Sequence, residues 1–446
     1  MKIALVSMNG IRAHDKELLR LGLNLPGFVE RSKAIASLPS LGLLTLGGVT
    51  PEHHDLTYIE VPDLKSGKSL PSGFDLVAIS TFSAQVEEAY ELSDRWRKNG
   101  TTVVMGGNHV SSLPDEALEH CDCVMIGEGE LTWPEMLQDA EAGRLKETYG
   151  SLLGNFDLAN APLPAYHLLN PDKYNRVTLQ TSRGCPLRCE FCASSVLYTR
   201  RYKQKPKDCV LAEVRQIKSI WKRPFIELVD DNAFVDKRYW KALLTELAEE
   251  HIRWFAETDV SVAEDAELLD LMRLAGCKEV LIGFESPVEV GLSGVEMNSN
   301  WKWKRWSTYK QAIHRIQSHG IRVIACFLVG LDGHGPWIFE SLLDFVKEAK
   351  PFDVQITVPT AFPGTAYYNR LKAEDRLIDD PCWRKCTLFD VNIRPTHMTA
   401  EELASGFRQL GVRLYDSDFT RRRKEHFNEL WRKNETRRRH VVKQAI

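Results

Sequence analysis

The stretch "VTLQTSRGCPLRCEFCASS" (177–195) joins a short apolar, β-branched run to three cysteines within eight positions, Cys185, Cys189 and Cys192. The run reads as a buried strand, and the cysteines as the loop that leaves its carboxyl end. Three chemistries compete for such a loop. A structural zinc site wants four ligands, commonly as two C-x2-C pairs, and only Cys189 and Cys192 have that spacing; Cys382 and Cys386 could complete a set from far along the chain. A thioredoxin-type pair would leave Cys185 without a role. An iron-sulfur cluster on three thiolates keeps one iron open to a small ligand, and Gly184 would let the backbone approach it closely.

Downstream, helical and strand-like patterns alternate. Strands read at 225–229, 253–258, 279–284, 322–330 and 353–358, and helices at 208–221, 236–250, 264–275, 306–319 and 336–349, with Asp208 as the first N-cap. Right-handed crossovers would lay these strands side by side in a partial (β/α)6 barrel, whose chemistry gathers at the carboxyl ends of the strands. The cysteine loop lies at that end, where a structural clip has no reason to be.

Upstream, apolar runs at 2–8, 55–61, 75–81, 101–107 and 121–127 look like buried parallel strands. Between two of them "SAQVEEAYELSDRWRKNG" (83–100) reads as an amphipathic helix with Ser83 as N-cap and Gly100 closing it. The expectation is α/β throughout: a Rossmann-like domain over 1–155, a linker within the Pro-bearing 155–175, a barrel over 172–375 and a helical extension over 376–446. The last 26 residues hold ten Lys or Arg against three Glu, which reads as a solvated helix.

Composition fits a two-domain enzyme: 446 residues, 43% hydrophobic, 27% charged, net charge −3. Nothing global points to nucleic acid. There is no secretory h-region or window of roughly 18 apolar residues, so a cytoplasmic location is expected, where ten cysteines form no disulfide framework.

C-x3-C-x-F-C after the first strand of a partial barrel resembles the signature of the radical S-adenosylmethionine (SAM) superfamily. "PSLGLLTLGGV" (39–49), "VVMGGNHVSSLPDEAL" (103–118), "VMIGEGELTWPEML" (124–137), "VGLDG" (329–333) and "PTAFPGTAYYNRL" (359–371) resemble members that carry a cobalamin-binding domain. The resemblance implies that Cys185, Cys189 and Cys192 hold a [4Fe-4S] cluster whose fourth iron chelates SAM, and that one-electron reduction yields a 5′-deoxyadenosyl radical. It places Phe191 near the adenine. Asp230, Asp231 and Asn232, then Glu257, Thr258, Asp259 and Ser261, would face SAM or the substrate, and Glu285 with Ser286 would meet the ribose. Tyr198 and Tyr202 would donate a proton or hydrogen atom, with ordinary packing as the plain alternative.

Cobalamin would be met by Asn108, His109, Ser111, Gly127, Glu128 and Gly129, in the loops that crown the first sheet. The base-off motif D-x-H-x-x-G is absent, and His14 followed by Asp15 does not have its spacing. The implied activity is cobalamin-dependent methylation of an unactivated carbon of a small molecule or natural-product intermediate. The alternative is a dehydration, ring contraction or cyclisation without methyl transfer. A methylthiolating, RNA-modifying enzyme would need a β domain after the barrel, where this chain reads as helical. Expected partners are a small-molecule substrate and an electron donor such as flavodoxin or ferredoxin, without nucleic acid or a transmembrane segment.

Overall fold

The computed structural model describes residues 1–10, 13–15, 18, 38–66, 70–194 and 202–444, and side chains as far as 435. Its first sheet holds six parallel strands: β1 (Lys2–Ser7), β2 (Asp55–Glu60), β3 (Leu76–Ser80), β4 (Thr102–Gly106), β5 (Cys123–Gly127) and β6 (Thr148–Ser151). They are buried because alternate side chains feed two different cores. Ala4, Val6, Val77, Ile79, Val103 and Met105 pack against the helix α2 (Val86–Lys98), whereas Ile3, Leu5, Leu76, Ala78 and Val104 pack against α1 (Leu41–Val49) and α5 (Trp133–Glu141). Two short helices, α3 (Asn108–Ser112) and α4 (Pro114–Leu118), follow β4. The order β2-β1-β3-β4-β5-β6 reverses direction between β1 and β3, and a ligand crevice is expected outside the carboxyl ends there.

The second sheet contains β7 (Val177–Leu179), β10 (Phe225–Ala233), β11 (Arg253–Thr258), β12 (Cys277–Glu285), β13 (Arg322–Leu328) and β14 (Asp353–Thr357), all parallel and in chain order. Among the described residues β7 and β14 do not pair, so the barrel is open on one side. A two-residue ribbon, β8 (Ser182–Arg183) with β9 (Lys203–Gln204), closes the cysteine loop at its base. Helices α6 (Lys207–Ile220), α7 (Lys237–Glu249), α8 (Ala266–Leu274), α9 (Tyr309–Ser318) and α10 (Ile338–Ala349) cover the outside and share the largest core with one face of the strands. Val177, Leu179, Ile226, Leu228, Ala256, Val280, Ile282 and Phe284 turn outward to that core, so by strand alternation Glu227, Glu257 and Gly283 line the lumen.

Differences from the sequence reading have local causes. Strand β6 is a short edge strand, "TYGS", too polar to carry a buried-strand pattern. Ser83 does not cap α2 but lies in a preceding 3-10 turn, and its hydroxyl contacts His109 Nδ1 at 3.0 Å. Asp208 lies inside the first turn of α6, behind Pro206, whose fixed φ opens the helix. Residues 376–399 hold no α-helix, only a 3-10 turn at Trp383–Lys385. After α11 (Ala366–Ala373) they wrap back onto the first sheet, burying Trp383 and Cys386 in its core before α12 (Ala400–Leu414) and α13 (Ser417–Gln444) begin. Helix α13 lies against the barrel: Arg423 is buried 3.6 Å from Asp353, and Trp431 fills the space where Gly320 has no Cβ. Among the described residues, no helix is long and apolar enough to cross a membrane.

Candidate active site

The cysteine loop leaves β7 and is fixed from two sides. Asp230 of β10, fully buried, accepts the amides of Thr181 (2.7 Å) and Ser182 (3.0 Å) and the Thr181 hydroxyl. Asp231 accepts the amide of Gly184 at 2.7 Å, and Gly184 adopts φ +86°, a conformation that favours glycine. Burial raises both carboxyls above their usual range. Residues 230–232 lie in a strand with a register shift, and the first two carboxylates hold the backbone of the loop. Asn232 is different. Its Nδ2 donates to Asp259 Oδ2 (2.8 Å) and faces Cys185 Sγ (3.6 Å), while its Oδ1 accepts the Asp259 amide (3.1 Å). Asp259 Oδ1 accepts the Ser261 amide at 2.8 Å, and Thr258 donates to the Ala233 carbonyl at 2.9 Å. Asn232, Asp259 and Ser261 thus form one half-buried polar edge beside Cys185.

From the opposite side, Cys189 pairs as an isolated bridge with Glu296, and Glu190 N and Arg188 O bond to Val295 O (3.0 Å) and Met297 N (2.8 Å). The Glu296 carboxylate accepts the amides of Arg188, Asn298, Ser299 and Trp301 and the Ser299 hydroxyl, between 2.8 and 3.2 Å. Burial works against its charge, but these donors hold its pKa at about 2. Sequence reasoning missed Glu296; the acid followed by Asn, Ser and Asn is the signal of a carboxylate-capped turn.

Glu285 ends β12 at φ +63°, and its carboxylate folds over Gly283, where a Cβ would lie 2.5 Å from Oε1. Lys302 Nζ donates to Glu285 Oε1 and to the Gly283 carbonyl, both at 2.6 Å. Burial disfavours the ammonium, but the Glu285 carboxylate and then Cys189 outweigh it and keep Lys302 charged. Ser286 is fully buried, donating to Val288 O (2.8 Å) and facing His334 Nε2 (3.0 Å), so it presents nothing to a ribose. In the lumen, burial first and then the Glu227 and Asp231 carboxylates push Glu257 up to about 7. Arg176 neutralises Glu227 at 3.3 Å.

The remaining calls separate as follows. Phe191 is partly buried and packs against Val295, Leu328 and Leu331 and against Tyr367 and Leu371. Tyr202 donates to Gln204, and burial pushes its hydroxyl up to about 12; Tyr198 lies outside the described residues. His109 is fully buried between Ser83, Glu116 (3.1 Å) and the Trp383 ring edge (5.1 Å), so both ring nitrogens have protein partners. Ser111 accepts the Gly127 amide at 3.1 Å, and Glu128 is held by Arg183, Lys203 and the Phe156 amide. His14 bonds Asp390 and the Arg384 carbonyl.

The donor set fits an iron-sulfur cluster. Three soft thiolate donors on one short loop suit iron and sulfur, and among the described residues Cys382 and Cys386 form no compact ligand group with them. Cys386 instead faces Asn392 and the Ala361 carbonyl. The crown of the first sheet offers apolar surface to a large ring. Gly107 (φ +105°) and Gly127 (φ +76°) turn where a Cβ would strike backbone at 2.8 and 2.3 Å, and Phe82 and Leu131, just after β3 and β5, are left 51% and 54% exposed.

Among family models, the Radical SAM superfamily matches residues 179–346 and a B12 binding domain matches 38–137. An uncharacterized methyltransferase of Synechocystis sp. is 30% identical over 388 residues, covering 85% of this chain and 71% of that one. The chain belongs to the radical SAM superfamily, in its B12-domain-bearing branch. A third match, over 365–445, is to a domain of unknown function. Bacteriochlorophyllide d C-12(1)-methyltransferase of Chlorobaculum tepidum is 28% identical over 85% of this chain and 83% of its own length. The fold matches the radical SAM methyltransferase TsrM of Kitasatospora setae, solved with cobalamin and a [4Fe-4S] cluster, at a TM-score of 0.61 and 15% identity, over 84% of this chain and 78% of that one. The radical SAM and B12-binding domains imply a [4Fe-4S] cluster, SAM and cobalamin for an enzyme whose relatives are methyltransferases.

Proposed function

We propose that the enzyme methylates an unactivated carbon of a small, largely apolar, ring-containing molecule, using two molecules of SAM per turnover. The observation that carries the reading is the three-cysteine loop at the carboxyl end of β7, tied directly to the crown of the first sheet through Arg183 and Glu128. When bound, the cluster supplies the electron that cleaves SAM to methionine and a 5′-deoxyadenosyl radical, and cobalamin supplies the methyl carrier.

Cys185, Cys189 and Cys192 would hold the cluster, on a loop kept rigid by Asp230, Asp231 and Glu296. Asn232, Asp259 and Ser261 offer the polar edge beside it, and the Lys302 ammonium holds Glu285 in place near Cys189. Glu257, close to half-protonated at neutral pH, can accept or return a proton in the lumen, which shields a radical from water. Asn108 and the Gly127 and Gly129 backbone crown the sheet where cobalamin would dock. The relatives that act on bacteriochlorophyllide, named above, and on hopanoids, such as the hopanoid C-2 methylase of Rhodopseudomonas palustris (25% identical over 77% of this chain), support an apolar ring system as substrate. A small one-electron carrier such as flavodoxin or ferredoxin would reduce the cluster, in the cytoplasm, where ten free cysteines persist.

SAM labelled in its methyl group tests the reading. Label in an apolar ring compound extracted from the source cell, together with unlabelled 5′-deoxyadenosine, supports methyl transfer. 5′-Deoxyadenosine formation that depends on such an extract but leaves it unlabelled overturns it.

A further inference from the structure

Arg183 and Lys203 face each other across the ribbon that closes the cysteine loop, and both side chains reach to the other sheet and converge on one carboxylate. Arg183 donates to Glu128 Oε1 and Glu130 Oε1, each at 2.7 Å, and is braced by Gln180 (3.0 and 3.2 Å). Lys203 Nζ donates to both Glu128 oxygens (2.9 and 2.8 Å) and to the Phe156 carbonyl (3.0 Å), and Glu128 Oε2 accepts the Phe156 amide (2.9 Å). Glu128 is 3% exposed, Glu130 8%, Arg183 11% and Lys203 20%. Exposed ion pairs contribute little, but removing one partner of a buried set leaves an uncompensated charge, so such sets fix register.

We propose that Glu128 is the positioning residue that registers the cluster loop against the cobalamin domain. Both strands at the base of the loop are gripped, so the loop cannot twist about one anchor. Phe156, where the first domain gives way to the linker, is held at its amide by Glu128 and at its carbonyl by Lys203. One carboxylate thereby joins three segments: the crown of the first sheet after β5, the base of the cysteine loop and the linker. The separation of the two cofactors is set by this contact rather than by the linker. For what each half carries, the inference rests on the function proposed above; the contact itself does not.

The test is Glu128→Gln, which keeps the shape and removes the charge, read by hydrogen exchange on the full chain with and without its cofactors. It is also read by the magnetic coupling between cob(II)alamin and the reduced cluster. The expected result is exchange about tenfold faster at 181–192 and 153–160 with the strands of both sheets unchanged, and an altered coupling. Unchanged exchange overturns the proposal, as does a uniform rise across the chain or faster loop exchange with unaltered coupling; either of the last two marks a mere staple. If Glu128→Gln does not fold, Lys203→Met, which spares the Arg183–Glu128 bond, is read the same way for a smaller rise. If the wild type takes up no cluster or no cobalamin, the functional reading fails, and exchange on the unloaded chain alone decides the contact.

Discussion

Lowering the pH from 7 to 5 should destabilise the barrel through one buried histidine. His334 follows β13 and is fully buried. Its Nδ1 accepts the amides of Gly330 and Leu331, both at 3.3 Å, so its proton sits on Nε2, which donates to the Ser286 hydroxyl at 3.0 Å; Ser286 donates onward to Val288 O. Burial holds the ring neutral, with a pKa of about 4 against 6.5 when unfolded. Between those values the unfolded chain binds more protons than the folded one. The contribution is therefore complete above the unfolded pKa and is lost as pH falls through 6.5 towards 4. For these two pKa values the loss from pH 7 to pH 5 is about 2 kcal/mol. Urea unfolding of the wild type and of His334→Gln at both pH values isolates it, because the carboxylates common to both proteins cancel in the difference. The wild type should lose about 2 kcal/mol more than the variant. Equal losses, within about 0.5 kcal/mol, would refute the argument.

Glu296→Ala strips four backbone amides of a charged acceptor and should cost about 3 kcal/mol, seen as a lower melting temperature and reduced iron uptake on anaerobic reconstitution. Lys302→Met should destabilise by about 3–5 kcal/mol, and adding Glu285→Gln should restore part of that loss, because the single change strands a buried carboxylate. Cys185→Ala, Cys189→Ala or Cys192→Ala should each abolish the cluster's visible absorbance, whereas Cys382→Ser should leave the iron content unchanged.

The α/β alternation was legible because parallel strands buried on both faces, such as β1 and β3, are continuous apolar runs. Their order, with its reversal between β1 and β3, is not carried by those runs, because the crossover rule fixes handedness and not sequence of placement. Strand β6 was not legible, since an edge strand of Thr, Tyr, Gly and Ser carries no such run. The three clustered cysteines stood out by their spacing, and the polar edge of Asn232, Asp259 and Ser261 by its place at strand ends. His109, Glu128 and Ser286 looked equally well placed, yet each is turned to a protein partner. Lys302 and Lys203 were invisible because their partners lie 17 and 75 positions away. Loops crowning a sheet are readable as loops; which of their side chains face outward is decided by tertiary pairing.

The central claim, that one chain carries both a radical-generating cluster and cobalamin, is tested most directly by anaerobic reconstitution with iron, sulfide and hydroxocobalamin followed by desalting. The account predicts a full [4Fe-4S] complement with one cobalamin retained per chain, and loss of the iron but not of the cobalamin in Cys189→Ala. Cobalamin passing through the column while the cluster is retained, or cobalamin retained without iron by the wild type, would contradict it.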